Sequence, residues 1–284
     1  MGVRKATHVE DRLSYAVRFT REALTPTLSR STGRGSCGAS PLGPGALVGW
    51  DVVGMPWGMS AKQRAAEAAL QFVKSGMIVG LGTGSTADFF LAALAEALRS
   101  GKLREIKGVP TSKHSERRAI ELRIPLTTLA QDPVCDVTVD GADEVAPGLD
   151  LIKGLGGALL REKVVAQNSR ELVIIADEGK VVEGLGTKSP LPVEVAQFGY
   201  ETHERFLREL GAEPKLRMAG GGMVFVTDNG NFIYDCHFAG GIRDAEEVQR
   251  RLKGRAGVVE SGLFLGLAKV ALIGTDGGVR EMTR

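Results

Sequence analysis

Residues 77–101, MIVGLGTGSTADFFLAALAEALRSG, read as a buried strand, a glycine-rich turn and a helix. The same order returns downstream, where strand-like segments at 106–112, 136–143 and 171–177 alternate with helical patterns at 115–124 and 159–169. Strands that alternate with helices of this length predict right-handed βαβ crossovers. We therefore expect an α/β protein built around a mostly parallel sheet.

The segments after residue 187 follow a different order. They comprise a helix over 200–211, a β-hairpin over 221–238 with an Asn-Gly turn, a helix over 245–254 and a strand over 257–264. The apolar segment 268–279 is then expected to rejoin the first sheet as its last strand. These patterns predict a Rossmann-like sheet with helices on both faces in residues 60–187 plus 264–284, and a smaller α+β lobe in residues 188–263.

The first 58 residues differ from the rest of the chain. The segment 31–49, STGRGSCGASPLGPGALVG, has no periodicity and is crowded with glycine, serine and proline, so we do not expect it to pack. The acids at the start of the chain argue against a transit peptide. We expect the folded part to begin near Met59, with a helix over 61–74 capped by Ser60, and residues 1–58 to be either a disordered extension or the product of an over-long gene model.

Composition excludes several classes of protein. Of the 284 residues 43% are hydrophobic and 25% charged, the net charge is only +2, and no uncharged run is long enough to span a membrane. A nucleic-acid binder would carry a stronger basic patch. The three cysteines, Cys37, Cys135 and Cys236, stand far apart and outside any metal-ligand spacing. We expect a cytoplasmic protein without structural zinc, in which Cys135 and Cys236 are core residues.

The loop GLGTGSTA at residues 80–87 is a candidate phosphate site. Its glycines let the backbone wrap an anion, the N–H groups of the following helix point outward, and Ser85 and Thr86 add hydroxyl donors. The spacing matches neither the Walker A pattern nor a clean G-x-G-x-x-G motif. On this stretch alone an ordinary tight turn remains an equally good interpretation.

A second candidate is the stretch 139–163, VDGADEVAPGLDLIKGLGGALLREK. Asp140 and Asp143 follow a strand, at the edge where open parallel sheets bind ligands. Lys153 offers a cation for a phosphate or a developing oxyanion, and Glu162 is a carboxylate that could take a proton from carbon. Lys180, just past another strand, is expected at the same edge. Each charge alone is more often a solvated surface group, but their grouping around GLGG favours a site.

The motifs together resemble a known family. They are GTGSTA at 82–87, VPTS at 109–112, DGADE at 140–144, IKGLGGALLREK at 152–163, ADEGK at 176–180, LPVEV at 191–195, VTDNGN at 226–231, GVVESGLF at 257–264 and ALIGTDGGV at 271–279. From about Lys62 to Val279 their order is similar to that of ribose-5-phosphate isomerases of the A type. The first 58 residues lie outside the resemblance.

The resemblance implies an aldose–ketose isomerase of the pentose phosphate pathway that interconverts D-ribose 5-phosphate and D-ribulose 5-phosphate through an enediolate, without metal or organic cofactor. It implies that Glu162 is the catalytic base and that Asp140, Asp143 and Lys153 contact the sugar oxygens. It also implies a homodimer or homotetramer. The implied substrate-binding positions are Thr83, Gly84, Ser85, Thr86, Gly141, Ala142, Gly154, Leu155, Gly156, Lys180 and Lys62. Leu155 departs from the all-glycine string of some relatives.

Other functions on the same broad fold remain as alternatives. An aminosugar-phosphate isomerase-deaminase would need a histidine-centred relay, and a coenzyme A transferase would need a glutamate nucleophile and a larger cleft. A ligand-sensing module of a sugar-responsive regulator would need an upstream helix-turn-helix. The residues themselves give no catalytic role to Glu144, Arg161 and Lys163, which we expect to be helix-end and surface charges.

Overall fold

The computed structural model describes residues 58–284, so the predictions for residues 1–57 lie outside the described residues. Its helices are α1 (Ala61–Ala68), α2 (Ser85–Arg99), α3 (Lys113–Glu121), α4 (Leu159–Gln167), α5 (Thr202–Glu209) and α6 (Ala245–Lys253). Its strands are β1 (Ile78–Leu81), β2 (Lys107–Pro110), β3 (Val137–Gly141), β4 (Glu144–Val145), β5 (Leu151–Ile152), β6 (Leu172–Asp177), β7 (Leu191–Val195), β8 (Ala212–Leu216), β9 (Phe232–Phe238), β10 (Val258–Ser261), β11 (Leu263–Phe264), β12 (Val270–Thr275) and β13 (Gly278–Thr283).

The main sheet contains six strands in the order β13-β12-β6-β3-β1-β2. The strands from β12 to β2 are parallel, and β13 is antiparallel to β12 at one edge. This confirms the predicted α/β class. Because the carboxyl ends of the parallel strands meet at one edge, the loops after β1, β3 and β6 lie close together there.

Alternate side chains of the parallel strands enter apolar cores on the two faces of the sheet. On one face, Val139 and Val173 share a core with Phe90 of α2 and with the alanines of α1. On the other face, Ile174 packs with Ala166 of α4 and with the small strands β4, β5 and β11. Helices therefore cover both faces, as predicted.

A second, four-stranded antiparallel sheet has the order β10-β7-β9-β8 and packs against α5 and α6. A third sheet, β11-β5-β4, joins the segment after β3 to the segment after β10. Gly262, between β10 and β11, approaches Lys153 so closely that a Cβ would overlap the Lys153 carbonyl. The Lys153 N–H donates to the Gly262 carbonyl at 2.9 Å. This contact fixes the backbone that carries Lys153.

The predicted hairpin over 221–238 is wrong in its first strand. A turn does close between Thr227 and Asn231, with the Thr227 N–H donating to the Asn231 carbonyl at 2.9 Å. The segment before it, however, makes only an isolated bridge between Met218 and Val224. Strand β9 instead pairs with β7 on one side and with β8 on the other. The sequence pattern concealed β8 because Pro214 stands in its middle. Proline is tolerated in β8 because it is an edge strand.

Three other boundaries differ from the sequence-based expectations. The first helix ends at Ala68 and tightens into a 3-10 turn over Ala69–Phe72, although Ser60 caps its start as expected. The strand predicted over 257–264 is split at Gly262 into β10 and β11. The segment 268–279 does rejoin the main sheet as β12, but β13 follows it and takes the edge. The turn at Asp276 and Gly277 allows this extra strand.

Strands of the main sheet come from residues 78–177 and 270–283, and those of the second sheet from residues 191–261. The division into a domain of 60–187 plus 264–284 and a lobe of 188–263 stays a prediction. Among the described residues, no helix has the length and apolar character needed to cross a bilayer. Cys135 and Cys236 are buried, as expected.

Candidate active site

The loop after β1 lies directly against the end of β3. A Cβ at Gly82 would overlap Asp140, so only glycine permits this approach. Gly84 has a φ of +106°, in the region that favours glycine, and α2 begins at the next residue. The Asp140 Oδ1 accepts from the Thr83 N–H at 3.0 Å and from the Gly141 N–H at 2.7 Å. Asp140 therefore fixes the loop that precedes α2.

A buried cluster of three charges lies beneath this loop. The Lys153 Nζ is 3.0 Å from the Asp140 Oδ2 and 3.1 Å from the Glu162 Oε1. It also donates to the Gly141 carbonyl at 2.5 Å. All three side chains are at most 5% exposed. The Glu162 Oε2 is buried and has no hydrogen-bond partner among the described residues.

The cluster shifts the proton affinities of its members. Burial raises the pKa of Glu162 to about 8, because the positive charge of Lys153 only partly offsets the loss of water and the nearby charge of Asp140 adds to it. Burial on its own would lower the pKa of Lys153, but the carboxylates of Asp140 and Glu162 outweigh it and raise that pKa above its usual value. Lys153 thus stays charged, while Glu162 is a more basic carboxylate than usual.

Asp143 lies at the mouth of the cluster. Its Oδ2 accepts from the Leu155 N–H at 2.9 Å, and its Oδ1 is 4.0 Å from the Lys180 Nζ. Lys180 comes from the 3-10 turn after β6, so the loops after β3, β5 and β6 converge here. This carboxylate is held by one backbone donor and one cation, and it faces the open space beside Lys153.

A second group of donors stands at the start of α2. The Lys62 Nζ donates to the Ser85 Oγ at 3.1 Å and is 4.0 Å from the Asp177 Oδ2. Gly84 at the N-cap has no side chain to satisfy the first N–H groups of α2. Backbone N–H groups, a hydroxyl and a lysine at a helix N-terminus form a site suited to an anion.

These residues surround one cavity of about 120 Å³. Its lining includes thirteen of the fifteen residues implied by the sequence: Lys62, Thr83, Gly84, Ser85, Thr86, Gly141, Ala142, Asp143, Lys153, Gly154, Gly156, Glu162 and Lys180. Asp140 is not in the lining, because it lies beneath Lys153 at 1% exposure. Leu155 is also outside it, with its side chain exposed and its N–H on Asp143. The structure therefore brings the proposed residues together around one small polar cavity.

Some contacts of this site were not anticipated from the sequence. The Thr83 Oγ1 lies 2.8 Å from the hydroxyls of both Thr111 and Ser112, which follow β2. Arg217, from the second sheet, donates to the carbonyls of Gly154 and Leu155 at 3.1 Å each. An isolated arginine after a weak strand pattern carries no local signal for such a long-range contact.

The expectation that Glu144 and Lys163 are surface charges is wrong. Glu144 is fully buried and accepts from the N–H groups of Gly186, Lys188 and Ser189 at 2.6 to 2.7 Å. Lys163 is 2% exposed and its Nζ is 2.7 Å from a Glu260 oxygen. These charges are held by partners distant in sequence, so the local pattern could not identify them as buried. Arg161, partly exposed, donates from its Nε to the Asn229 Oδ1 at 2.9 Å.

Within residues 58–284, no three His, Cys, Asp or Glu side chains form a group that could hold a metal ion. The charged groups around the cavity instead include three lysines, which suit an anionic ligand. The arrangement can hold a phosphate at the start of α2 and place a carboxylate and an ammonium group at the opposite end of a small molecule.

Comparisons with known proteins agree with this chemistry. A family model described as ribose 5-phosphate isomerase A (phosphoriboisomerase A) matches residues 107–278. The ribose-5-phosphate isomerase A of Roseiflexus castenholzii is 52% identical over 221 residues, which cover 78% of this chain and 94% of that protein. The corresponding protein of Deinococcus radiodurans is 47% identical over 223 residues, covering 78% of this chain and 97% of its own.

Solved structures give the same result. The ribose 5-phosphate isomerase of Plasmodium falciparum is 42% identical with a TM-score of 0.76, and the match covers 79% of this chain and 98% of that one. A D-ribose-5-phosphate isomerase in complex with phospho-erythronic acid is 40% identical with a TM-score of 0.77, at the same coverage.

Proposed function

The chain belongs to the ribose 5-phosphate isomerase A family and interconverts ribose 5-phosphate and ribulose 5-phosphate, and from this premise we propose how its residues divide the reaction. The conversion moves one proton from C2 of the aldose to C1 of the ketose. It also moves a proton from the oxygen on C2 to the oxygen on C1. A base must therefore lie over the two carbons, and donors must lie beside the two oxygens.

Glu162 is the base in this proposal. The supporting observation is its geometry: one oxygen is held by Lys153, and the other is buried without a hydrogen-bond partner in the described part of the chain. That free oxygen accepts the C2 proton and returns it to C1, so the same group serves both half-reactions. Its raised pKa makes it a stronger base than a solvated carboxylate.

Lys153 stabilises the negative charge that appears on the substrate oxygens in the enediolate. It is a charged donor in a site almost closed to water, where such a contact is strong. Asp143 faces the cavity and exchanges the hydroxyl protons, including the one that moves between O2 and O1 and the one that moves from O1 to O4 when the C1–O4 bond of the ring breaks. Asp140 acts beneath them by keeping Lys153 charged and in place.

The phosphate occupies the opposite end of the cavity. The N-terminal N–H groups of α2, the hydroxyls of Ser85 and Thr86, and the ammonium groups of Lys62 and Lys180 supply its donors. Phospho-erythronic acid, found with a structural relative, carries a phosphate and a carboxylate at opposite ends. A planar anionic carboxylate resembles an enediolate, so we expect this compound to bind here more tightly than the substrate.

Isomerisation in D₂O tests the assignment of Glu162. The unaltered protein should place deuterium on C1 of ribulose 5-phosphate, with turnover that resists a chelator. Glu162→Gln should lose both turnover and deuterium incorporation by at least about 100-fold, yet still bind phospho-erythronic acid. The matched control is Glu178→Gln, an exposed glutamate at the same sheet edge. Turnover retained in Glu162→Gln would remove Glu162 as the base.

We also propose that the protein acts in the cytoplasm as a homodimer or homotetramer. Two buried, unpaired cysteines in the described part are compatible with a reducing compartment. Light scattering on the purified protein gives the number of subunits directly. A monomer that is fully active would exclude an obligate assembly.

A further inference from the structure

Arg217 connects the second sheet to the glycine-rich loop of the site. It follows β8, and its side chain is only 12% exposed. Asp235 of β9 accepts from its Nε at 2.9 Å and from its Nη2 at 2.5 Å. The guanidinium carbon lies 5.6 Å from the centre of the Phe225 ring. Two nitrogens of the Arg217 guanidinium group are thus held by Asp235 within the lobe. The third nitrogen, Nη1, donates to the carbonyls of Gly154 and Leu155.

The loop that receives this contact carries part of the site. Gly154 and Gly157 have φ values of +104° and +80°, and the Gly157 N–H closes the turn onto the Gly154 carbonyl at 2.9 Å. The Leu155 N–H, in the middle of the turn, donates to Asp143. Lys153 directly precedes the turn. A change in the path of this loop therefore moves a donor away from Asp143 and disturbs the backbone next to Lys153.

Glycine gives such a loop several accessible conformations. From the lobe side, Arg217 donates hydrogen bonds to this turn, at the carbonyls of Gly154 and Leu155. Phe225 adds a steric restraint, because a Cβ at Gly157 would lie 2.5 Å from its ring. The planar fork of arginine can satisfy Asp235 and two carbonyls at once, and the single ammonium of lysine cannot.

We propose that Arg217, held by Asp235, is a positioning residue that fixes the Gly154–Gly157 loop and through it the Leu155 N–H against Asp143. Arg217 does not line the cavity, and its charge is matched by Asp235, so it is not a ligand of the substrate phosphate. The proposal rests on the role given above to Asp143. It predicts a defect in turnover rather than in phosphate binding.

The test compares Arg217→Lys with Arg205→Lys. Arg205 is an exposed arginine of α5 in the same lobe, paired with Glu209 one helical turn away. In Arg217→Lys, kcat should fall about 10- to 100-fold, as expected for a misplacement near 1 Å. The inhibition constant of inorganic phosphate should stay within about twofold, because the phosphate donors lie on other loops. Arg205→Lys should match the unaltered protein in both.

Hydrogen exchange measures the loop directly and without reference to catalysis. Amide exchange in a peptide spanning 153–160 should accelerate in Arg217→Lys and in Asp235→Asn, while the peptide of α2 remains protected. Unchanged kcat in Arg217→Lys would overturn the proposal. A fall in kcat without faster exchange in the loop would also overturn it. Faster exchange throughout the chain would do the same, since Arg217 would then act only on general stability. If Glu162→Gln kept its turnover, the role of Glu162 as the base would be contradicted. The exchange experiment would still test whether Arg217 fixes the loop.

Discussion

Glu162 should link activity and stability to pH in opposite directions, and Glu162→Gln isolates both effects. The carboxyl is buried, and its pKa is raised from 4.5 to about 8 in the folded protein. Between these values the unfolded chain ionises the group and the folded chain keeps it protonated. The folded state then binds one more proton, so the contribution of Glu162 to stability is largest below pH 4.5 and is lost as the pH rises through about 8.

The size of the stability effect follows from that interval. Each pH unit within it corresponds to about 1.4 kcal/mol, so the contribution of this group falls by roughly 3 to 4 kcal/mol between pH 5 and pH 8. Urea unfolding of both proteins at several pH values measures it. The free energy of unfolding of the unaltered protein, minus that of Glu162→Gln, should decrease by this amount across the range. Titrating groups that do not interact with Glu162 are common to both proteins and cancel in the difference.

Activity should rise with pH, while the contribution of Glu162 to stability falls, because only the ionised carboxylate is a base. The value of kcat/KM should rise with pH and reach half its maximum near pH 8, above the second ionisation of the substrate phosphate at about 6. Steady-state assays from pH 6 to 9 test this directly. A kcat/KM that is flat over this range, together with a stability difference that does not depend on pH, would refute the reasoning.

Three further substitutions separate the other roles. Lys153→Met should lower kcat, measured by steady-state assay, about 100- to 1,000-fold. It should also destabilise the fold by about 3 to 5 kcal/mol in urea unfolding, because Asp140 and Glu162 are left buried without a cation. Glu144→Gln should leave kcat unchanged but reduce the free energy of unfolding by about 3 kcal/mol, because charge-assisted hydrogen bonds to three N–H groups are weakened. A loss of turnover without a loss of stability would contradict this. Lys62→Met should raise KM about tenfold with little change in kcat, and an unchanged KM would exclude Lys62 from the phosphate site.

The main sheet could be predicted because its signals are local. The apolar runs around Val79, Val139 and Val173 alternate with helices, and glycine-rich turns mark the strand ends. Strand β8 could not be predicted in this way, because Pro214 interrupts its pattern and only the pairing with β9 makes it a strand. The two-residue strands β4, β5 and β11 are likewise defined by long-range partners, not by their own sequences.

The candidate site could also be predicted only where its signals are local in the sequence. Residues of the loops after β1 and β3 were identified because their chemistry is contiguous in sequence, and the sheet brings their ends together. Glu144 and Lys163 carry equally conspicuous charges within the same stretch, yet they are buried against partners about 40 and 100 residues away. A charge pattern shows that a group is ionisable. It does not show whether the group meets substrate, a backbone donor or another side chain.

The charge balance of the buried cluster suits the proposed proton transfer. When Glu162 is ionised, Asp140, Lys153 and Glu162 together carry one net negative charge in a region that is almost fully buried, and burial is the main reason that Glu162 is basic. When Glu162 takes the C2 proton it becomes neutral, and the enediolate acquires the negative charge. In the proposed step the net charge of the site is unchanged, because one negative charge moves from Glu162 to the substrate oxygens. Lys153 is already fixed by Asp140 and Gly141, so this transfer requires little reorganisation of the surrounding dipoles.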